Sequence, residues 1–516
     1  MAQELPKTKA EESNYQATSR YADVMEFVSA IQQRDPAIRV ETFATTNEGR
    51  ALPLVIAGPP GIVDPRTARA SGLPVVFIMA NIHAGEVEGK EAAMMLLRDL
   101  VSKSRKLRDE MVVLIAPIYN ADGNEKISTD HRKTQNGPPD GVGVRENAQG
   151  LDLNRDYMKL ESPEARGLVA NVFNRWDPLL AVDLHTTNGS FHGYQLTYAP
   201  MLNPNAFSDL IDFERDTLLP RIRERMREKH HKETYYYGNF VNQLTPEKGW
   251  YTFDSRPRFG NNYAGLRNRF TILSEAYSYI DFRARVEVTY DFLQEILSAV
   301  EKHGEKMMKI AARADRTAPK KQGVRFEIKP WKKTTILWEK CLPEDPQASV
   351  AESQGETPHH VKRTGKIVPM KMTDYGVFAA KEKDDVPYAF VFQNEKAAEN
   401  LLTHGVIIEK LARETKVEVE QFNINSAKPS EREFQKHREM TLEGKWKSRK
   451  VTLPAGTFLV RLDQPLARLA FYLLDPRSDD GLFEWNYFDS DLEGEIAPVQ
   501  RIMKPVAIDA TIVSKQ

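Results

Sequence analysis

Three apolar runs, each ending in a side chain that can bind a metal or move a proton, constrain this chain more than any other feature. Residues 74–80 lead to His83 and, three residues on, Glu86; residues 178–184 lead to His185; residues 269–274 lead to Glu275. Short runs rich in Val, Ile, Leu and Phe, bounded by turn formers, read as buried strands. Sites in open α/β sheets lie outside the carboxyl ends of such strands, where loops present side chains. Residues 88–100 follow the first run with helix-forming composition, so strand, turn and helix is the natural parse.

The rest of the first three hundred residues supports a sheet flanked by helices. Val24, Phe27, Val28 and Ile31 recur at helical spacing, and Thr18 is placed to cap a helix over 19–33. Residues 38–43 and 52–57 are strand-like and flank the turn Asn-Glu-Gly-Arg at 47–50, giving a hairpin; 111–117 is another buried strand. Gly, Pro, Asn and charged residues fill 123–150, a length of loop that usually carries function or disorder. Ser162 followed by Pro163 starts a helix that runs to about Trp176. A charged helix over 207–229, an irregular aromatic stretch over 235–263, and a long helix from about Phe282 complete the unit.

Periodicity dissolves into Lys, Arg, Pro and Gly over 314–323, which marks a boundary. Beyond it strand-like pieces dominate (324–328, 388–392, 417–422 and 458–462), with a helical segment at 395–404 and a turn-rich aromatic region over 453–488. The fold class is therefore α/β, a mixed central β-sheet flanked by helices, plus a smaller β-rich C-terminal region. The expected division is a leader at 1–14, a main domain at 15–318 and an accessory region at 324–516, with a further split near 435.

Lys and Arg number 72 against 73 Asp and Glu, with no long run of either sign, so nucleic acid and anionic membrane are poor partners. No apolar stretch approaches the roughly 20 residues of a membrane span. The single cysteine, Cys341, excludes an intramolecular disulfide and a cysteine-based zinc site. The first residues lack an apolar signal core, and the polar leader after Met1 resembles the start of an exported chain. A secreted or periplasmic location after signal removal is expected, with the cytoplasm as the alternative. His359 and His360 stand together in a Ser-, Glu- and Thr-containing linker and read as solvated loop, not as a second metal site.

Catalytic zinc takes three protein ligands and keeps a position open. His83, Glu86 and His185 supply that number, with 98 residues between the last two. His-x-x-Glu alone is common; a motif and a distant histidine that both end expected strands, with Glu275 ending a third, form a far more specific set.

Over residues 15–315 these features resemble the zinc carboxypeptidases of the carboxypeptidase A type, the funnelins, here with an additional C-terminal domain. The resemblance runs in order through the 47–50 turn, Asn81-Ile-His-Ala-Gly-Glu86, Asn120-Ala-Asp-Gly123, Arg132-Lys-Thr134, Asp152-Leu-Asn-Arg155, His185 and Glu275. It implies one Zn²⁺ per chain on His83, Glu86 and His185, with Glu275 as general base and later acid and Arg132 stabilising the oxyanion. Asn154 and Arg155 would hold the carboxylate of a peptide substrate with a free C-terminus, and Asp152 would orient a zinc histidine. Asp156 departs from the Asn common in the family. The family's active-site tyrosine is not fixed by spacing; Tyr251 is the first candidate and Tyr263 the second. The implied activity is a metallocarboxypeptidase. The alternatives are a zinc amidohydrolase or deacylase acting on small acylated amino acids or cell-wall peptides, and a non-catalytic peptide-binding protein.

Overall fold

The computed structural model describes residues 5–187, 189–344, 361–492 and 494–513; His359 and His360 lie outside the described residues. Eight strands form the central sheet: β1 (Arg39–Thr45), β2 (Ala51–Ala57), β3 (Val75–Ala80), β4 (Val112–Ala116), β5 (Leu180–Thr187), β6 (Leu196–Ala199), β7 (Thr234–Tyr236) and β8 (Phe270–Tyr277). Their order is β1-β2-β4-β3-β5-β8-β6-β7. β4, β3, β5 and β8 run parallel at the centre, and β3, β4 and β5 are buried along their whole length, as continuous apolar runs between two helical layers must be. Hairpin β1–β2 joins antiparallel at one edge, with β6 antiparallel to β8 toward the other.

Helix Glu88–Leu100 and the 35-residue helix Phe282–Arg316 pack together on the sheet. Gly89 brings the first of these close: a methyl group there would stand 2.6 Å from Leu184 Cβ. The first long helix is Tyr21–Arg34, later than expected, because Thr18 does not cap it. The Thr18 hydroxyl donates to buried Glu91, and Asp23 accepts the Arg20 N–H instead. Residues expected to be a leader also dock: Glu11, in helix Lys9–Glu12, accepts two 2.7 Å hydrogen bonds from Arg98.

The C-terminal region is β-rich, and its strands do not stand apart. Lys332–Pro343 and Val361–Tyr375 share a four-stranded sheet with Trp250–Tyr251 and Asn239–Phe240, which precede the 314–323 boundary. A seven-stranded sheet holds most of the remainder, and one contiguous apolar core includes residues from both sides of the boundary. The expected division near 435 is not present, since that position is a turn between Thr415–Pro429 and Met440–Leu453, paired antiparallel from Thr415↔Leu453 to Pro429↔Met440. The region expected to be turn-rich contains helix Ala467–Leu474, of which every residue is buried, Arg468 included.

Candidate metal and peptide site

Strand register assembles the site. β5 and β8 are parallel neighbours with Glu275 opposite His185, so two residues ninety positions apart sit side by side at the carboxyl ends of their strands. β3 ends at Ala80, the chain turns through Asn81 at a φ of 65°, and the following loop brings His83 and Glu86 to the same edge. Gly85 keeps that loop slim: a methyl group there would lie 2.7 Å from Arg132 Nε and 2.8 Å from the Gly143 carbonyl.

The ligand atoms of His83, Glu86 and His185 all lie within 4.8 Å of one another. Both imidazoles turn Nδ1 inward, each 3.0 Å from a Glu86 oxygen. Both turn Nε2 outward to a carboxylate, His83 at 3.0 Å from Asp152 Oδ1 and His185 at 2.9 Å from Asp183 Oδ2. A carboxylate behind each ring fixes its orientation and raises its basicity, the arrangement that supports metal-binding histidines. Burial disfavours charge on His185, yet Asp183 and Glu86 outweigh it and hold its pKa well above the ordinary value. The same inward-facing atoms would hold a dication, and metal binding to such a set displaces protons. The three residues fit zinc in number, donor type and convergence.

Charge is dense around them. Arg132, at a φ of 50°, places Nη2 2.9 Å from Glu86 Oε1. Arg145 donates from Nε to Asp152 Oδ2 at 2.9 Å and brings Nη1 within 3.3 Å of His83 Nδ1. Burial opposes the charge of Glu86, but His83, Arg132 and His185 hold its carboxyl well below the usual range. Burial also opposes Asp152, which His83, Arg155 and Arg145 keep ionised. Glu275 has no such cationic shell: burial, together with Glu86, Asp183 and Glu88, outweighs His185 and pushes its carboxyl up to about 8 before any metal charge is added.

His83, Glu86, His185, Arg132, Arg145 and Glu275 face one cavity of about 560 Å³, which is also lined by Asn154, Arg155, Tyr237, Asp254 and Phe259. Residues 24–254 match the zinc carboxypeptidase family. This segment is a zinc carboxypeptidase domain. The chain is 32% identical over 152 residues to human carboxypeptidase N catalytic chain, covering 28% of this chain and 31% of that protein. It is 26% identical over 147 residues to carboxypeptidase 2 of Trichophyton rubrum, covering 27% and 23%. The matches span less than a third of the length of these relatives. Among solved structures, a metallo-carboxypeptidase from Burkholderia cenocepacia superposes over 55% of this chain and 70% of its own at a TM-score of 0.42 and 19% identity.

The structure gathers His83, Glu86, Arg132, Asn154, Arg155 and His185 of the matched segment, and Glu275 beyond it, at one cavity, with Asp152 directly behind His83. It does not bring Tyr251 there. That ring stacks on Tyr375 at 4.2 Å between centroids, held by the sheet it shares with the C-terminal region. Tyr263 is wholly buried and its hydroxyl meets His404 Nδ1 at 2.8 Å. The tyrosine on the cavity is Tyr237, whose hydroxyl accepts from Asn239 Nδ2 at 3.1 Å. Burial and then Glu275 push that hydroxyl up to about 12, so it stays a proton donor.

Sequence reasoning also passed over Asp183 and Arg145. Asp183 was detectable, since alternate residues of a strand share a face and His185 is two residues on. Arg145 carried no signal, because irregular chain gives no period from which to tell where a side chain points.

Proposed function

We propose that the protein is a zinc-dependent metallocarboxypeptidase that removes C-terminal residues from peptides, with Glu275 as general base. The observation that carries this reading is a carboxylate receptor in the same cavity as the ligand triad. Arg155 donates from Nη1 to the Asn154 carbonyl at 2.7 Å, rests its guanidinium 3.9 Å from the Phe259 ring centroid, and has its nearest carboxylate, Asp152, 3.9 Å away. Most of its donors are therefore free for a substrate carboxylate, which a guanidinium matches with two parallel hydrogen bonds.

His83, Glu86 and His185 would hold the zinc, which when bound supplies a Lewis acid and a water acidified to a pKa of about 7. Glu275, on the same cavity, would take the proton of the attacking water and return it to the departing amine. Asn154 and Arg155 hold the terminal carboxylate, so only the last peptide bond reaches Glu275. Arg132 and Arg145 offer guanidinium donors beside the ligand set, where they stabilise the charge that develops on the scissile carbonyl oxygen more than they stabilise the bound substrate.

The test is a matched pair of peptides, one with a free C-terminal acid and one amidated, given to the zinc-loaded protein. Release of single C-terminal residues from the acid, with the amide strongly disfavoured, is expected. Equal cleavage of both refutes the receptor, and no cleavage of peptides together with hydrolysis of acylated amino acids transfers the reading to a deacylase.

A further inference from the structure

The carboxylate receptor is built on a stretch with no ladder of its own. Residues 252–259 run without helix or strand, yet they supply Phe259, which stacks on Arg155, and lead to Gly260, whose N–H donates to Asn154 Oδ1 at 3.0 Å. That last bond sets the receptor amide: with its oxygen occupied by Gly260, Asn154 turns Nδ2 toward His185, at 3.5 Å from Nε2.

Arg258 holds this stretch from behind, and each of its charged partners lies in the C-terminal region. It is 2% exposed; Nε donates to Asp480 Oδ1 at 2.8 Å, Nη1 to Glu439 Oε1 at 2.7 Å and Nη2 to Glu484 Oε1 at 2.7 Å, while its own backbone N–H also donates to Asp480. The Trp485 ring centroid lies 4.6 Å from its guanidinium carbon and that of Phe434 5.4 Å. A second hold comes from the same region. The turn at Gln435, with a φ of 51°, places Oε1 2.9 Å from the Asp152 N–H it accepts, and Asp152 in turn accepts the Asn154 N–H at 2.9 Å.

We propose that the C-terminal region is a working part of the substrate site: Asp480, Glu484 and Glu439, through Arg258, and Gln435, through Asp152, are positioning residues for the Asn154–Arg155 receptor and set its affinity for the terminal carboxylate. The proposal rests on the carboxypeptidase reading for its kinetic consequence but not for its structural one. A network serving only to join two halves of a fold would change stability on mutation and leave the binding of substrate by the folded protein unaltered. Breaking a positioning network loosens the receptor while the candidate metal set, held by strand β5 and the loop leaving β3, stays in place.

Two variants of the full zinc-loaded chain test it. Gln435→Ala removes one acceptor at a half-buried turn; Arg258→Lys keeps the charge but cannot span three carboxylates. Each is expected to retain its zinc, to exchange the amides of residues 253–260 at least several-fold faster, and to raise KM for a free-acid peptide about tenfold with kcat within about twofold, the scale of one charge-assisted hydrogen bond. Unchanged exchange over 253–260 in both variants overturns the proposal, as does an unchanged KM accompanied by lost zinc or lost kcat. If wild type cleaves no peptide, the carboxypeptidase reading fails on its own, and the exchange measurement still decides whether the C-terminal region holds the receptor. If Arg258→Lys does not fold, Gln435→Ala carries the test.

Discussion

Replacing Arg155 with Ala is the sharpest probe of what the cavity holds. One donor of its guanidinium is spent on the Asn154 carbonyl at 2.7 Å, its face is spent on Phe259, and among the described residues no carboxylate lies closer than 3.9 Å. Burial, with Arg145 and Arg258 nearby, outweighs Asp152 and brings its pKa down to about 10, so the group remains a cation at pH 7. A cation kept charged without a close counter-ion gains most when an anion arrives. Hydrogen bonds to charged groups contribute about 1.5–3 kcal/mol, and about 1.4 kcal/mol is one decade. Wild type should therefore prefer a free-acid peptide over its amide by one to two decades in kcat/KM. Arg155→Ala should lose about that much on the acid, almost nothing on the amide, and so erase the preference. Arg155→Lys keeps the charge without the planar fork and should fall between. A thermal melt separates lost recognition from the lost stack on Phe259. An Arg155→Ala protein that is folded, binds zinc and still prefers the acid by the wild-type factor refutes the argument and moves the receptor to Arg132 or Arg145.

Glu275→Gln should keep about one equivalent of zinc by elemental analysis and lose about 10² to 10⁴ in kcat, the usual scale of general acid–base catalysis; turnover within a few-fold of wild type would remove Glu275 from that role. His185→Ala should lose the metal, since it takes away one of the three proposed ligands that converge among the described residues, and stoichiometric zinc in that variant would sink the ligand assignment. A third expectation concerns the contact of His437 Nε2 with Glu161 Oε1 at 2.9 Å, which ties the C-terminal turn to the carboxypeptidase domain. Burial lowers the His437 pKa and Lys159 opposes its charge, but Glu161 and Asn486 prevail and raise it above the ordinary value; Asp489 also faces it. Burial opposes Glu161 too, yet His437 and Lys159 bring it down to about 2. The histidine's contribution is whole below pH 6.5 and is lost as pH rises through its raised pKa; the glutamate's is whole above about pH 4.5 and is lost as pH falls toward 2. Melting temperature should thus drop more between pH 6 and pH 8.5 in wild type than in His437→Gln, and parallel curves would remove the pair from the pH dependence.

What the sequence made legible were the features that repeat along the chain. Buried strands announce themselves as apolar runs, and β3, β4, β5 and β8 fall where those runs lie; helix Glu88–Leu100 begins and ends at its expected residues. The metal set was legible because each member ends such a run. Side chains on irregular chain were not legible in the same way. Among the tyrosines of 235–263, only the three-dimensional path shows that Tyr237 faces the cavity while Tyr251 is committed to Tyr375 and Tyr263 to His404. Arg145 lay hidden for the same reason, and the helix Ala467–Leu474 because at eight residues it is too short to separate from the turn-rich chain around it.

The two halves of the site therefore differ in what holds them. His185 and Glu275 depend on the register of adjacent strands, where a one-residue slip would turn every buried side chain to the other face of the sheet, and His83 and Glu86 lie on the loop that leaves β3, so this half is fixed by the same burial that fixes the fold. The receptor half has no such guarantee. Phe259 and Gly260 sit on irregular chain held from both regions: Asn203 and Asn262 donate to the carbonyls of Ser255 and Asp254, Tyr375 and Asp480 accept the N–H groups of Thr252 and Arg258, and the buried arginine there would be costly if left unpaired. Trp250–Tyr251, just upstream, is already a strand of a sheet completed by Val361–Tyr375. Sheet pairing on one side of the stretch and three carboxylates on the other leave residues 252–259 little freedom to move, and both constraints come from beyond residue 323. An irregular loop that must place a guanidinium to within hydrogen-bonding tolerance needs such external support, and in this chain the C-terminal region supplies it.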